Sequence, residues 1–320
     1  MSDLKQVNVE YFTIPGTEVK IPAVGYGTGT KAQWSKKGRE ESIRHTLHLP
    51  LAEDVALAIK RGFRHIDTAE TYTTHIEVAH GIKLADVPRD QLFITDKFSP
   101  GFKSKARNIV VKAHTSGPYE SIKVALKELE TEYIDLYLIH SQFFHDELTG
   151  NLSITDAWKQ LERAQKEGLV RNIGLSNFDK ENISEILKIA EIKPKVLQIE
   201  FHPYLPNQSE GIIEFAKQND ILVEAYGPLT PLFRAKEGPL AQVLPKLTEK
   251  YGKTEGQILL RSVYEQGILP LTTSSNEQRI DDALDIFSFK LDKEDLDLIK
   301  KTGSEFKFRG FFKTFDGEED

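Results

Sequence analysis

Short apolar runs return along this chain at intervals, and most are followed by a longer stretch whose apolar residues recur every three or four positions. The first kind of run fits a strand and the second an amphipathic helix. Two runs stand apart at the start. "VEYFTI" (Val9–Ile14) and "EVKIPAV" (Glu18–Val24), joined by Pro15-Gly16-Thr17, read as a β-hairpin. Then come "VGYGTG", "FRHIDTA", "LFITDKF", "IDLYLIH", "RNIGLSN", "VLQIEFH", "ILVEAYG" and "GILPLTT" as strand candidates. Between most of them lie helical patterns over Glu53–Lys60, His75–Ile82, Glu120–Glu132, Ile154–Glu167, Lys180–Ala190, Glu210–Gln218 and Thr254–Glu265.

Strands that alternate with helices pair in parallel. Repeated about eight times over roughly 250 residues, the unit predicts a closed α/β barrel, a (β/α)8 TIM barrel. An open doubly wound sheet is the alternative, but "GYGTGT" lacks the GxGxxG spacing and has no helix behind it. Three segments exceed what a minimal barrel needs: Thr30–Pro50, Ser99–Pro118, and an aromatic tail after Lys301 that ends acidic. No linker divides the chain, so residues 1–320 are expected to form one barrel domain, with the hairpin at its N-terminus and the tail near its mouth.

Composition narrows the function. Of 320 residues, 39% are hydrophobic and 28% charged, which is globular, and a net charge of −7 disfavours nucleic acid or an anionic membrane as partner. There is no cysteine, so disulfides, thiolate nucleophiles and Cys-type zinc sites are excluded. The start has neither the basic nor the apolar region of a secretory signal, and no apolar run is long enough to span a membrane. A cytoplasmic protein acting on a small molecule, without an obligate protein partner, is expected. The histidines of "HTLH" (His45–His48) have no carboxylate spacing to complete a metal site, so no metal is expected.

In a barrel of this kind catalytic groups sit at the carboxyl ends of strands. The polar residues found there are Asp67 after the second strand, Lys97 in the third and His140 after the fourth, with Tyr72 where the helix after Asp67 should begin. A buried lysine is costly unless paired, so Lys97 and Asp67 are expected to form an ion pair in the mouth. A tyrosine facing that cation would have its pKa lowered from about 10 and could hand a proton to a carbonyl oxygen, which His140 would orient. Taken singly, the aspartate could be a cap, the lysine a surface residue and the histidine a core one. Together, in order on successive strand tips, they read as a site.

These stretches carry a resemblance. "GFRHIDTAETY", "IDLYLIH", "NIGLSNF" and "LQIEFHPY" resemble the signatures of the aldo-keto reductase superfamily, and the likeness runs from the hairpin to "SSNEQRI". It implies a tetrad of Asp67, Tyr72, Lys97 and His140, with Tyr72 as proton donor and hydride from NADPH. On the cofactor side it implies Gly27, Thr28 and Asp67, then Ser176, Asn177 and Gln198 for a carboxamide. Tyr226 would supply a stacking face, and Gly227, Pro228 and Leu229 a close approach to the pyrophosphate. Thr273, Ser274, Ser275 and Arg279 would seat the 2′-phosphate at a helix start. The chain departs from the family here: Thr273 stands where a lysine is usual, and Ala283 where an asparagine meets adenine.

On the substrate side, Ser141, Gln142 and Phe143 follow His140 in place of a common tryptophan, and Gly29 replaces another. That should widen the pocket, with Tyr72, His140, Ser141, Phe143 and Trp34 lining it and Phe308, Phe311 and Phe312 of the tail as further walls. The variant resembles fungal reductases of 1,2-dicarbonyl compounds: α-keto amides, α-keto esters and cyclic diketones. An aldose or xylose reductase is the alternative within enzymes. A regulatory subunit that binds NADPH without turnover is the alternative outside them, though such a subunit is expected to carry an added N-terminal segment.

Overall fold

The structure is a computed structural model that describes residues 9–29, 33–34, 36, 41–104 and 109–316. Strands β1 (Tyr11–Thr13) and β2 (Lys20–Pro22) form the antiparallel hairpin, turned by Gly16 at φ +70°. Eight strands then close a barrel of parallel pairs: β3 (Gly25–Gly27), β4 (His65–Asp67), β5 (Phe93–Phe98), β8 (Ile134–Ile139), β9 (Val170–Ser176), β10 (Val196–Glu200), β11 (Leu222–Tyr226) and β12 (Leu269–Thr272). The closing pair is β12 against β3. A second hairpin, β6 (Phe102–Ser104) with β7 (Ile109–Val111), stands outside the barrel within the long third connection.

The helices start and stop where local chemistry says they should. Those between strands are α2 (Leu49–Arg61), α3 (His75–Ala85), α4 (Pro118–Glu128), α6 (Ile154–Lys166), α7 (Lys180–Ile189), α8 (Ile212–Gln218) and α11 (Glu255–Tyr264). Ser153 caps α6 and Asp179 caps α7 through side-chain oxygens, and Thr254 with Gln257 forms a capping box on α11. Pro50 and Pro118 sit in the first turns of α2 and α4, where no amide donor is missed, so both helices begin earlier than their apolar periodicity alone predicts. Short α1 (Glu41–Arg44), α5 (Asp146–Thr149) and α9 (Thr230–Phe233), and longer α10 (Leu244–Tyr251), α12 (Glu277–Leu284) and α13 (Lys293–Ser304), complete the set.

Among the described residues, apolar packing occurs in three places. Helix faces meet the outside of the barrel around Trp158, Phe63, Phe178 and Ile199. Inside the barrel, Phe93, Leu136, Val196, Leu222 and Leu269 meet Ile14 and Ile21 of the hairpin. Most of these barrel residues open their strands, so the hairpin plugs the amino-terminal end and leaves the carboxyl ends as the mouth. A third cluster, Tyr204 with Leu240, Leu244, Ile258 and Leu291, takes in Phe306 and Phe308 of the tail.

Gly174 in β9 shows how tightly the barrel closes: a Cβ there would lie 2.4 Å from the Val196 carbonyl oxygen and 2.9 Å from a Leu138 methyl. Gly174→Ala should therefore cost about 1–3 kcal/mol through overpacking, read as a lower urea midpoint at unchanged slope. An unchanged midpoint would show that β9 and β10 can part without cost.

Candidate active site

Asp67 ends β4, and Lys97 lies one residue before the end of β5. Both are buried, and Lys97 Nζ donates to both Asp67 carboxylate oxygens at 2.8 Å and to the Thr68 carbonyl at 2.8 Å. All three ammonium donors thus have acceptors, which is what a wholly buried lysine requires. Burial pulls Lys97 down, but Asp67 and Tyr72 outweigh it and hold the ammonium above its ordinary value. Burial raises Asp67, against Lys97 and Gln198, which favour its anion.

Tyr72 does not open a helix. It closes a tight turn, Glu70–Tyr72, followed by Thr73 in the left-handed region at φ +56°, and α3 begins three residues later. Lys36, itself paired with Glu77 at 2.6 Å, donates to the Thr73 carbonyl at 2.9 Å and pins that turn. The Tyr72 ring comes within 5.2 Å of Lys97 Nζ and meets the His140 ring edge-on at 5.5 Å. His140 follows β8 directly; its backbone is fixed by Phe98 O at 2.9 Å and by Asn177 Nδ2 at 2.8 Å.

Lys97 does favour the Tyr72 phenolate as expected, but the net lowering of the phenol's pKa expected from the sequence is not found. Burial raises the phenol, Lys97 lowers it and Asp67 raises it further, so it stands above its ordinary value. The hydroxyl therefore carries its proton at neutral pH.

A second buried carboxylate joins the cluster. Gln198 Nε2 donates to Asp67 Oδ2 and to Glu224 Oε2, both at 2.8 Å. Burial pushes Glu224 up to about 8. Neither Glu224 nor Glu200, at the end of β10, is named by the strand-end reading, although an acid within an apolar strand was the available signal in "ILVEAYG" and "VLQIEFH".

Above the tetrad, Asn177 at φ +56° ties the rim together. Its Oδ1 accepts from the Tyr226 hydroxyl at 2.7 Å and from Gln208 at 2.8 Å. Phe311 of the tail packs edge-on against Tyr226 at 5.4 Å.

The chain as a whole is similar to one known family and to individual relatives. The aldo/keto reductase family profile matches residues 23–303. The chain belongs to that family. It is similar to an NADPH-dependent alpha-keto amide reductase of Saccharomyces cerevisiae, 43% identical over 302 residues, 92% of this chain and 91% of that one. An NAD/NADP-dependent indole-3-acetaldehyde reductase of Schizosaccharomyces pombe is 37% identical over 93% of this chain and 97% of its own. Among solved structures, a Bombyx mori aldo-keto reductase in complex with NADP superposes with a TM-score of 0.79 at 29% identity, covering 97% of each chain.

In this aldo/keto reductase the remaining expected positions fall in distinct places. Gly27 and Gly227 (φ +67°) lie on the rim; a Cβ at Gly27 would meet nothing nearer than 3.8 Å, whereas one at Gly227 would lie 3.3 Å from the Thr230 hydroxyl, and Pro228 and Leu229 follow at the start of α9. Thr28 is wholly buried, its hydroxyl shared between the Asp67 carbonyl and Thr74. Ser176 Oγ accepts from Asn177 Nδ2 at 3.0 Å, and Gln198 Nε2 is taken by the two carboxylates. Thr273, Ser274 and Ser275 precede α12; Asn276 caps it by accepting from the Arg279 amide at 3.0 Å, and the Arg279 side chain is exposed. Ala283 is buried in the outer core.

Ser141 is buried beside His140, Phe143 is half-buried, and Trp34 is half-buried in a stretch where residues 30–32, 35 and 37–40 lie outside those described. The pocket is not simply widened at Gly29: the Tyr72 ring takes the space, so a Cβ there would lie 2.9 Å from Tyr72 Cζ. Of the tail aromatics, Phe308 packs with the α10–α13 cluster, Phe311 meets Tyr226, and Phe312 stacks on Phe143 at 6.0 Å.

Glu224 gives this centre a pH signature. Its folded value of about 8 lies above the ordinary 4.5, so its contribution is fully present below pH 4.5 and is lost as pH rises through 8. Glu224→Gln should remove that part of the fall in stability between pH 4.5 and 8, seen as a flatter melting-temperature profile than the parent's. Parallel profiles across that window would mean that Glu224 ionises as freely folded as unfolded.

Proposed function

We propose that this chain is an NADPH-dependent reductase that acts as one barrel domain and converts a carbonyl, of the 1,2-dicarbonyl class (α-keto ester or amide, cyclic diketone), to an alcohol. The observation that carries the reading is the Lys97–Asp67 pair set beneath a protonated Tyr72, with His140 against its ring. Residues on the rim fit a dinucleotide: Tyr226 offers a half-buried ring, Gly227 removes bulk, and Arg279 leaves its guanidinium free at the start of α12. The NADPH-dependent relative supports the cofactor, and its alpha-keto amide supports the substrate class.

When bound, a reduced nicotinamide supplies the hydride. The side chains do the rest. Tyr72 Oη gives its proton to the carbonyl oxygen, and the phenolate left behind faces Lys97, which offsets its charge in a dry site. Asp67 keeps Lys97 charged through the transfer. His140 donates to the same carbonyl oxygen and fixes its approach. Ser141 and Phe143 shape the space next to it, and Trp34 closes it from the first connection.

Tyr72→Phe keeps the ring and removes only the proton. It should fold and bind NADPH as the parent does, while kcat falls by about two to four orders of magnitude. Activity within about threefold of the parent would take Tyr72 out of the chemistry. The cofactor choice has its own test. Arg279→Ala should weaken NADPH about ten- to a hundredfold and leave NADH nearly unchanged, in a fluorescence titration, since a charged hydrogen bond contributes about 1.5–3 kcal/mol. Equal loss for both cofactors would assign Arg279 to the loop's shape instead of the phosphate.

A further inference from the structure

Glu200 is wholly buried at the carboxyl end of β10, and the tetrad does not use it. Both its oxygens go to the tail: the Gly310 amide donates to Oε1 at 2.8 Å and the Phe311 amide to Oε2 at 3.0 Å. His202 Nε2 lies 3.1 Å from Oε1. Two successive backbone amides on one buried carboxylate are charge-assisted bonds with a fixed direction, and they specify where the main chain passes. Gly310 permits the approach, since a Cβ there would lie 3.0 Å from Oε1.

What this clamp holds lies across the mouth. Phe311 rests on Tyr226, with the Arg234 guanidinium 4.3 Å from its ring centre. The next residue, Phe312, has φ +48°, a conformation that a bulky side chain adopts only when its surroundings force it. That turn brings Phe312 to stack on Phe143, three residues beyond His140, and Phe315 meets the same ring edge-on at 5.2 Å. Arg309 secures the near side by donating to the Gln208 carbonyl and to Asp316, both at 2.7 Å. The Phe143–Phe312 wall is thus set by main-chain bonds to Glu200 and by one strained turn.

We propose that Glu200 is a positioning residue for substrate selectivity: by clamping the Gly310 and Phe311 amides it sets an aromatic wall of Phe143 and Phe312 against which a flat, aryl-bearing dicarbonyl packs. The inference rests on the reductase reading above. A carboxamide in place of the carboxylate turns one amide–oxygen bond into a donor facing a donor, so Glu200→Gln releases the tail while keeping its volume.

Two measurements test it on the full-length protein. In hydrogen exchange, the Gly310 and Phe311 amides should be protected in the parent and exchange about tenfold or more faster in Glu200→Gln. In turnover, KM for ethyl benzoylformate should rise about fivefold while KM for ethyl pyruvate holds, with kcat on each within about twofold. Phe312→Ala, which removes the wall and leaves the clamp, should show the same KM rise with both amides still protected. Unchanged exchange in Glu200→Gln overturns the proposal, and so does an unchanged aryl KM in either variant. If Glu200→Gln does not fold, the aryl KM and amide protection of Phe312→Ala decide it alone. A parent that reduces neither ester refutes the dicarbonyl reading instead, and the exchange result then still stands for or against the clamp.

Discussion

The centre depends on one buried charge being paired. Lys97 is inside the barrel, and an unpaired ammonium there would cost several kcal/mol or lose its proton. Asp67 takes two of its hydrogens and the Thr68 carbonyl the third, so the charge stays and its direction is fixed. Asp67 in turn is held by Gln198, which also reaches Glu224. Four residues from four strands, β4, β5, β10 and β11, are thereby linked by polar bonds through the middle of an apolar barrel. The charged end of that network faces the Tyr72 ring, with Lys97 Nζ 5.2 Å from its centre.

The balance at Tyr72 shows why position decides what residue type cannot. A lysine near a tyrosine favours phenolate, and the same enclosure that brings them together disfavours every anion. Here enclosure wins in the resting site. With Tyr72 as the proposed proton donor, the cation's effect is felt in the transition state, where charge would form on the phenolic oxygen, more than in the ground state, which is where a catalyst gains rate.

Much of this was legible in the chain. Parallel barrel strands are covered on both faces, so they read as apolar runs, and the polar residues at their tips stand out: Asp67, Lys97 and His140 are visible for that reason. The hairpin β1–β2 was legible from its turn residues. Helix α13 was not, because "KEDLDLIKKTGS" buries only Ile299 and Gly303 and has little apolar face to read. Nor was β6–β7, whose three-residue strands sit outside the barrel and lack an alternating pattern. Glu200 and Glu224 are not legible in this way, because what gives each its role is a partner that no local pattern shows: a tail over a hundred residues away for Glu200 and a glutamine on the neighbouring strand for Glu224. Spacing alone puts Tyr72 at a helix start; its turn depends on Lys36 reaching Thr73, a contact that no local pattern encodes.

The plug at the amino-terminal end carries a consequence for traffic. With Ile14 and Ile21 seated among Phe93, Leu136 and Val196, nothing the size of a dinucleotide passes through the floor of the barrel. Arrival and departure then share one doorway, beneath the tail that crosses it. Whatever lies deeper must arrive first and leave last, so the architecture itself imposes a queue.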